Sequence, residues 1–154
     1  MKASIFIAAA VAAFACAAAP AFAGECPAGK ERPTTELNGP TMPSKVTDVV
    51  IGSIDLGPQY KVADRLFRLR RLEIMPGGIV PQHSHGERPA HIYVVQGSIV
   101  EHRSTCEVPI THKAGDNAVE GGELTHWWKN ESKQKVVLIS ADILPPAGKP
   151  AESM

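Results

Sequence analysis

From Val46 onward the chain is a succession of short runs rich in β-branched and aliphatic residues, each ended by glycine, proline or a polar turn: VTDVVIGSIDL, RLFRLRRLEIM, HIYVVQ, SIVEHR, HWWKN and KVVLISADI. Runs of this length between turn residues form strands, and none has the apolar spacing of a helix. The pattern restricts the chain to an all-β fold, an antiparallel sandwich or barrel. Alternation from Leu66 to Ile74 puts Leu66, Arg68, Arg70, Leu72 and Ile74 on one face and Phe67, Leu69, Arg71 and Glu73 on the other. Both faces are mixed, as in a sheet with one side inward and the other toward solvent or a partner.

The segments around this domain have a different character. Lys2, the apolar run from Ile5 to Ala19 and the small-residue pattern Ala21-Phe22-Ala23 make residues 1–23 read as a secretory signal peptide, cleaved to leave Gly24 first. Pro20 interrupts the apolar run and argues against a membrane anchor; a lipobox around Cys16 lacks its leading aliphatic residue and is the minor alternative. The destination is then the periplasm or the exterior. Residues 24–45 are rich in Pro, Gly, Thr, Lys and Glu and read as an irregular arm, residues 46–144 as the domain, and residues 145–154, from Pro145-Pro146 on, as a flexible tail.

A length of 154 residues with 44% hydrophobic content suits one domain with a real core. Loss of Lys2 from sixteen basic residues leaves fifteen against sixteen acidic ones. That balance gives no electrostatic case for nucleic acid or an anionic membrane surface. Cys26 and Cys106 remain after Cys16 leaves with the signal, an even pair suited to a disulfide in an oxidising compartment, with two unrelated thiols as the alternative.

The chemistry centres on histidine. His83 and His85 stand two apart, so a strand would aim both imidazoles at one point, and His126 lies on a later strand with Trp128 and Asn130 on its face. Imidazole donors suit Fe, Mn, Zn, Ni or Cu and do not suit an oxygen-seeking ion such as Ca²⁺.

Two spaced motifs then stand out. Gly77, His83, His85 and Gly97, followed by Gly115-Asp116, Gly121, Glu123, His126 and Asn130, resemble the first and second motifs of the cupin superfamily, over about Leu66 to Asp142. The resemblance implies a jelly-roll β-barrel with a divalent transition metal held by His83, His85 and His126, and, for a chain of this size, a homodimer. Where the family places a glutamate ligand this chain has Ala90, and Gly121 and Glu123 replace the usual proline and glycine. Three histidines without a carboxylate resemble the cupin-type thiol dioxygenases. Three neutral imidazoles leave the ion's charge uncompensated and favour an anionic small molecule.

The expected activity is thus dioxygenase-like, with an isomerase or lyase-like reaction open and a non-catalytic metal or ligand-binding role as the alternative. Glu87 and Glu123 are candidates for an additional ligand or an acid/base. Arg68, Arg70 and Arg88 are candidate anion clamps, and Trp128 a candidate pocket wall. His91 falls on the outer face by parity, and His102 and His112 read as surface or loop residues.

Overall fold

A computed structural model describes residues 24–145; the expected signal peptide and all but the first residue of the expected tail lie outside the described residues. Eight strands follow in order: β1 (Ser44–Asp55), β2 (Leu66–Ser84), β3 (Ala90–Gln96), β4 (Ser98–Arg103), β5 (Ile110–Lys113), β6 (Asn117–Glu120), β7 (Thr125–Lys129) and β8 (Val136–Ile143). One helical turn, α1 (Gly57–Tyr60), links β1 to β2. Among the described residues no helix is long and apolar enough to cross a membrane.

The expected all-β barrel is the fold observed. Strands run β5-β4-β7-β2-β8-β3-β6 in one antiparallel sheet, with β1 paired to β2 outside this path. The sheet curls until its two end strands, neighbours in sequence, meet through the turn at Gly115. Gly115 N–H donates to Val94 O at 2.9 Å and Val94 N–H to Asp116 O at 3.0 Å, which fastens that turn to β3 and nearly closes the barrel.

Three features differ from the sequence reading. The strand expected to end at Met75 runs on to Ser84 through Pro76 and Pro81, because both prolines sit at irregularities where no ladder hydrogen bond is needed. Strands β5 and β6, four residues each, are too short and too polar to carry a strand signal. The third is a register shift in β2 between Val80 and His83, opposite β7. Even-numbered residues from Arg70 to Val80 face inward; after the shift Pro81, His83 and His85 do so. A bulge re-aims side chains in this way.

The barrel interior has two chemically distinct halves. One is apolar and contains Leu72, Ile74, Ile92, Val94, Ile99, Val136 and Leu138. Gly97, at φ 87°, closes the β3–β4 turn against this half; a Cβ there would lie 3.0 Å from the Val136 side chain and 3.1 Å from Lys135 O. The other half is a buried polar layer of histidine, arginine and carboxylate side chains.

The arm before β1 is irregular yet tied down. A disulfide joins Cys26 to Cys106, with 5.7 Å between their Cα atoms. Arg32 N–H donates to Thr105 O, Thr35 N–H to Ser104 O, and Gly39 N–H to the Gln82 side chain at 2.6 Å.

Candidate metal centre

The bulge in β2 and the pairing of β2 with β7 assemble the site. His83 is the direct cross-strand partner of His126, and His85 follows at the end of β2, where its N–H donates to Leu124 O at 2.9 Å. His83 Nε2 lies 3.0 Å from His85 Nε2 and 3.2 Å from His126 Nε2. All three rings are buried.

Each ring's other nitrogen is already committed. Nδ1–H of His83 donates to Pro81 O at 2.8 Å, that of His85 to Arg88 O at 2.8 Å, and that of His126 to Glu101 Oε1 at 2.5 Å. The indole Nε1 of Trp128 is 3.2 Å from the same His126 nitrogen, but so short a carboxylate contact places the proton on Nδ1. With every Nδ1 protonated, each Nε2 of a neutral ring carries a lone pair. Three lone pairs converging at 3.0–3.2 Å repel one another unless a cation lies among them.

The spacing suits a metal ion. Bonds of about 2.1 Å put neighbouring ligand atoms about 3.0 Å apart in octahedral geometry and about 3.4 Å apart in tetrahedral geometry. Burial, reinforced by His126 and by Arg88 nearby, pushes His83 down to about 3 and His85 down to about 2, so both rings stay neutral and ready to ligate.

Two carboxylates that the sequence reading passed over border the histidines. Glu101 of β4 accepts from His126 on one oxygen and from His112 Nε2 on the other at 2.8 Å, and Arg103 Nε lies 2.6 Å from it. Burial alone would raise its pKa, but hydrogen bonds from His112 and His126 and the Arg103 charge hold it well below the usual carboxylate range. Glu120 of β6 places Oε2 3.1 Å from His85 Nε2, while its Oε1 is buried with no hydrogen-bond partner among the described residues. Burial pushes its carboxyl up to about 7. Two carboxylates thus border the histidines, although the motif position itself holds Ala90.

Other candidates fall into distinct places. Glu87 and Glu123 are exposed and outside both groups of metal-competent side chains. Arg68, Arg70 and Arg88 converge on Asp142, at 2.8, 3.3 and 3.1 Å, and Arg70 also holds Asp48 at 2.5 Å. Arg88 keeps Nε and Nη2 buried without a hydrogen-bond partner among the described residues. Trp128 is buried in the core and lines, with Arg70, His83 and Glu120, an interior cavity of about 10 Å³.

His91 is exposed and meets Asn117, and His102 stacks on Trp127 at 3.9 Å. His112 is a correction: far from being a surface or loop residue, it is fully buried in β5 and hydrogen-bonded to Glu101. Alternation in so short a strand gave no warning of this.

Metal-free protein should lose stability in acid. Because the folded pKa values of His83 and His85 lie below the unfolded 6.5, the unfolded chain binds more protons, and stability falls with pH from about 6.5 downward. Each ring contributes up to about 1.4 kcal/mol per pH unit. Glu120, raised from 4.5 to about 7, works in the opposite direction and offsets one histidine between those values. Urea midpoints of chelator-treated protein should therefore fall below about pH 6.5 and fall more steeply below about pH 4.5. A flat midpoint over that range would count against the buried neutral rings.

Comparisons with known proteins agree with this geometry. Residues 70–142 match the Cupin domain family. A search of curated protein sequences finds no match.

Among solved structures, a predicted oxalate decarboxylase from Thermotoga maritima superposes with a TM-score of 0.52 at 20% identity, covering 64% of this chain and 80% of that one. The Cupin_2 domain of an XRE family transcriptional regulator from Enterobacter cloacae gives 0.51 at 14% identity, over 66% and 99% of the chains. An oxalate oxidase in complex with the substrate analogue glycolate gives 0.51 at 16%, over 67% of this chain and 56% of that one. At these identities the likeness is one of fold, and fold alone does not choose between an enzyme and a regulator's domain.

Proposed function

We propose that this protein is an exported cupin that holds one divalent transition metal on Nε2 of His83, His85 and His126 and binds or transforms a small anion there. The observation that carries the reading is the set of three Nδ1 donors, each fixed by an oxygen acceptor, which turns three lone pairs onto one point. Fe, Mn, Zn, Ni and Cu all fit an imidazole-rich site.

Charge supports an anionic ligand. In the polar half, Arg68, Arg70, Arg88 and Arg103 face Asp48, Glu101, Glu120 and Asp142, so the layer is close to balanced before any metal is added. A dication leaves it positive in surroundings of low dielectric. Nε and Nη2 of Arg88, buried without a hydrogen-bond partner among the described residues, leave two donors for a carboxylate, and the loop carrying them also supplies the carbonyl that orients His85. Two structural relatives bear names that refer to oxalate, a small dianion of the class this charge balance favours. A bound ion would supply Lewis acidity; orienting its ligands, neutralising charge and excluding water fall to the side chains named here.

A second reading has its own support. An interior space of about 10 Å³ is close to the room one water needs, which suits a protein that stores or senses a metal or a very small ligand without turnover. Measured turnover of small carboxylates separates the two.

Export rests on the expected signal sequence and is supported by the Cys26–Cys106 disulfide, which suits an oxidising compartment. Pairing into a homodimer is supported by Val49, Val50, Ile51 and Ile54, apolar and about half-exposed along β1.

The direct test is metal content. Protein purified without chelator should carry about one transition-metal ion per chain, and adding the preferred ion to stripped protein at a hundredfold excess over Kd should stabilise it by about 2.7 kcal/mol. His126→Ala should abolish binding, while His102→Ala, on the outer face against Trp127, should leave it intact. Metal well below one equivalent, with no stabilisation by Fe(II), Mn(II), Co(II), Ni(II), Cu(II) or Zn(II), would sink the reading.

A further inference from the structure

Ala90 and Glu120 are direct cross-strand partners in the β3–β6 ladder. Both face the barrel interior and both are buried. Side chains opposed in an antiparallel pair have Cβ atoms about 4.5–5.5 Å apart on the same face of the sheet. A glutamate at 120 can therefore send its carboxylate into the volume that a glutamate at 90 would reach. The small methyl of Ala90 leaves that volume open.

Glu120 borders the histidine group through His85 and forms, with Glu101 and His126, an adjoining group of metal-competent side chains. Its Oε2 stands 3.1 Å from His85 Nε2, a nitrogen whose lone pair is bare because Nδ1–H donates to Arg88 O. With Glu120 ionised, that contact joins two acceptors at the same spacing as His83 Nε2 keeps to the other two Nε2 atoms, 3.0 and 3.2 Å. Oε1 finds no hydrogen-bond donor among the described residues, although the side chain is almost wholly buried. A buried carboxylate with an orphaned oxygen, set beside three inward-facing lone pairs, lacks a cation partner.

We infer that Glu120 is the fourth protein ligand of the metal centre, a carboxylate delivered by β6 across the strand pair from the alanine at 90. The inference rests on the metal-binding reading above and changes its chemistry. The donor set becomes three imidazoles and one carboxylate, so one negative charge of the polar layer sits directly on the ion.

Co(II) is a suitable probe, because its visible absorption bands report coordination geometry and its affinity can be measured by competition with a chelator on the full-length mature chain. Wild type should bind one Co(II). Glu120→Gln should weaken binding on the order of 100-fold or more and shift the bands, since loss even of a supporting carboxylate costs about 10–100-fold. Glu123→Gln, which alters an exposed carboxylate one turn away, should change neither.

The decisive variant moves the carboxylate across the ladder. Ala90→Glu combined with Glu120→Ala should restore the wild-type bands and bring affinity back to within about tenfold of wild type. If wild type binds no Co(II), the metal reading itself fails. If wild type binds but Glu120→Gln keeps the same bands, Glu120 is not a ligand and the inference is overturned while the histidine site stands. Should Glu120→Gln fail to fold, the double variant decides: wild-type bands support the inference, and a folded double variant without them overturns it.

Discussion

Asp142→Asn should destabilise the protein by about 3–5 kcal/mol, the loss expected when one partner of a buried ionic cluster is removed. Asp142 has no exposed surface, and Arg68, Arg70 and Arg88 all direct guanidinium nitrogens at it, with Arg68 in a two-point contact through Nε and Nη2. Burial on its own would raise the Asp142 pKa, but the Arg68 hydrogen bonds and the charges of Arg70, Arg68 and Arg88 outweigh it and lower the value. Neutralising the carboxylate leaves Arg70 with Asp48, whose side chain is partly exposed, and takes from Arg68 and Arg88 the carboxylate that pairs with them. The midpoint of thermal unfolding should drop by roughly 6–20 °C for a chain of this size. Glu131→Gln, which breaks an exposed pair with Lys129, should cost less than about 1 kcal/mol. Comparable small losses for both variants would show that the arginine cluster contributes little.

Glu101→Leu should cost about as much, 3–5 kcal/mol, and should also weaken metal binding by about 10–100-fold. Glu101 has no exposed surface and joins three donors that have little alternative: His126 Nδ1, His112 Nε2 and the Arg103 guanidinium. Leucine fills similar space and deserts all three. The effect on metal follows from the tautomer. Without Glu101 the His126 Nδ1 proton loses its 2.5 Å acceptor and keeps only the more distant Glu120 Oε1 at 3.5 Å, and a proton on Nε2 blocks the lone pair that faces His83. Urea unfolding and Co(II) competition on the same preparation separate the two consequences. A variant that loses stability but keeps wild-type affinity would show that Glu101 is structural and does not position the ligand.

The sequence made the barrel and three-quarters of the inferred donor set legible, for a physical reason. Long strands such as β2 and β8 reveal themselves through alternation and β-branched content, and histidines two apart on one strand reveal a shared direction. Glu120 and His112 lie on strands of four residues, where alternation has no length in which to show itself. Glu87 and Glu123 drew attention because they were near the histidines in sequence, whereas Glu120 is 35 positions from His85 in the chain and 3.1 Å from it in space. Ala90 shows in the sequence as a missing carboxylate. Its replacement became visible only through register, which places residue 120 opposite residue 90 and which no local pattern encodes. The arginines illustrate the same limit, since Arg68 and Arg70 read as available clamps until Asp142 enters from another strand.

The register shift between Val80 and His83 amounts to one unpaired step in the ladder, yet the site depends on it. Deleting a single residue there, Gln82 for instance, would preserve every histidine and every turn residue while turning His83 and His85 through the wall of the barrel to its outside. A substitution of one histidine removes a single ligand, whereas a change in chain length at this position turns two away at once. The transition between a barrel with a metal centre and one without can thus be a single codon gained or lost, with the apolar half undisturbed below it.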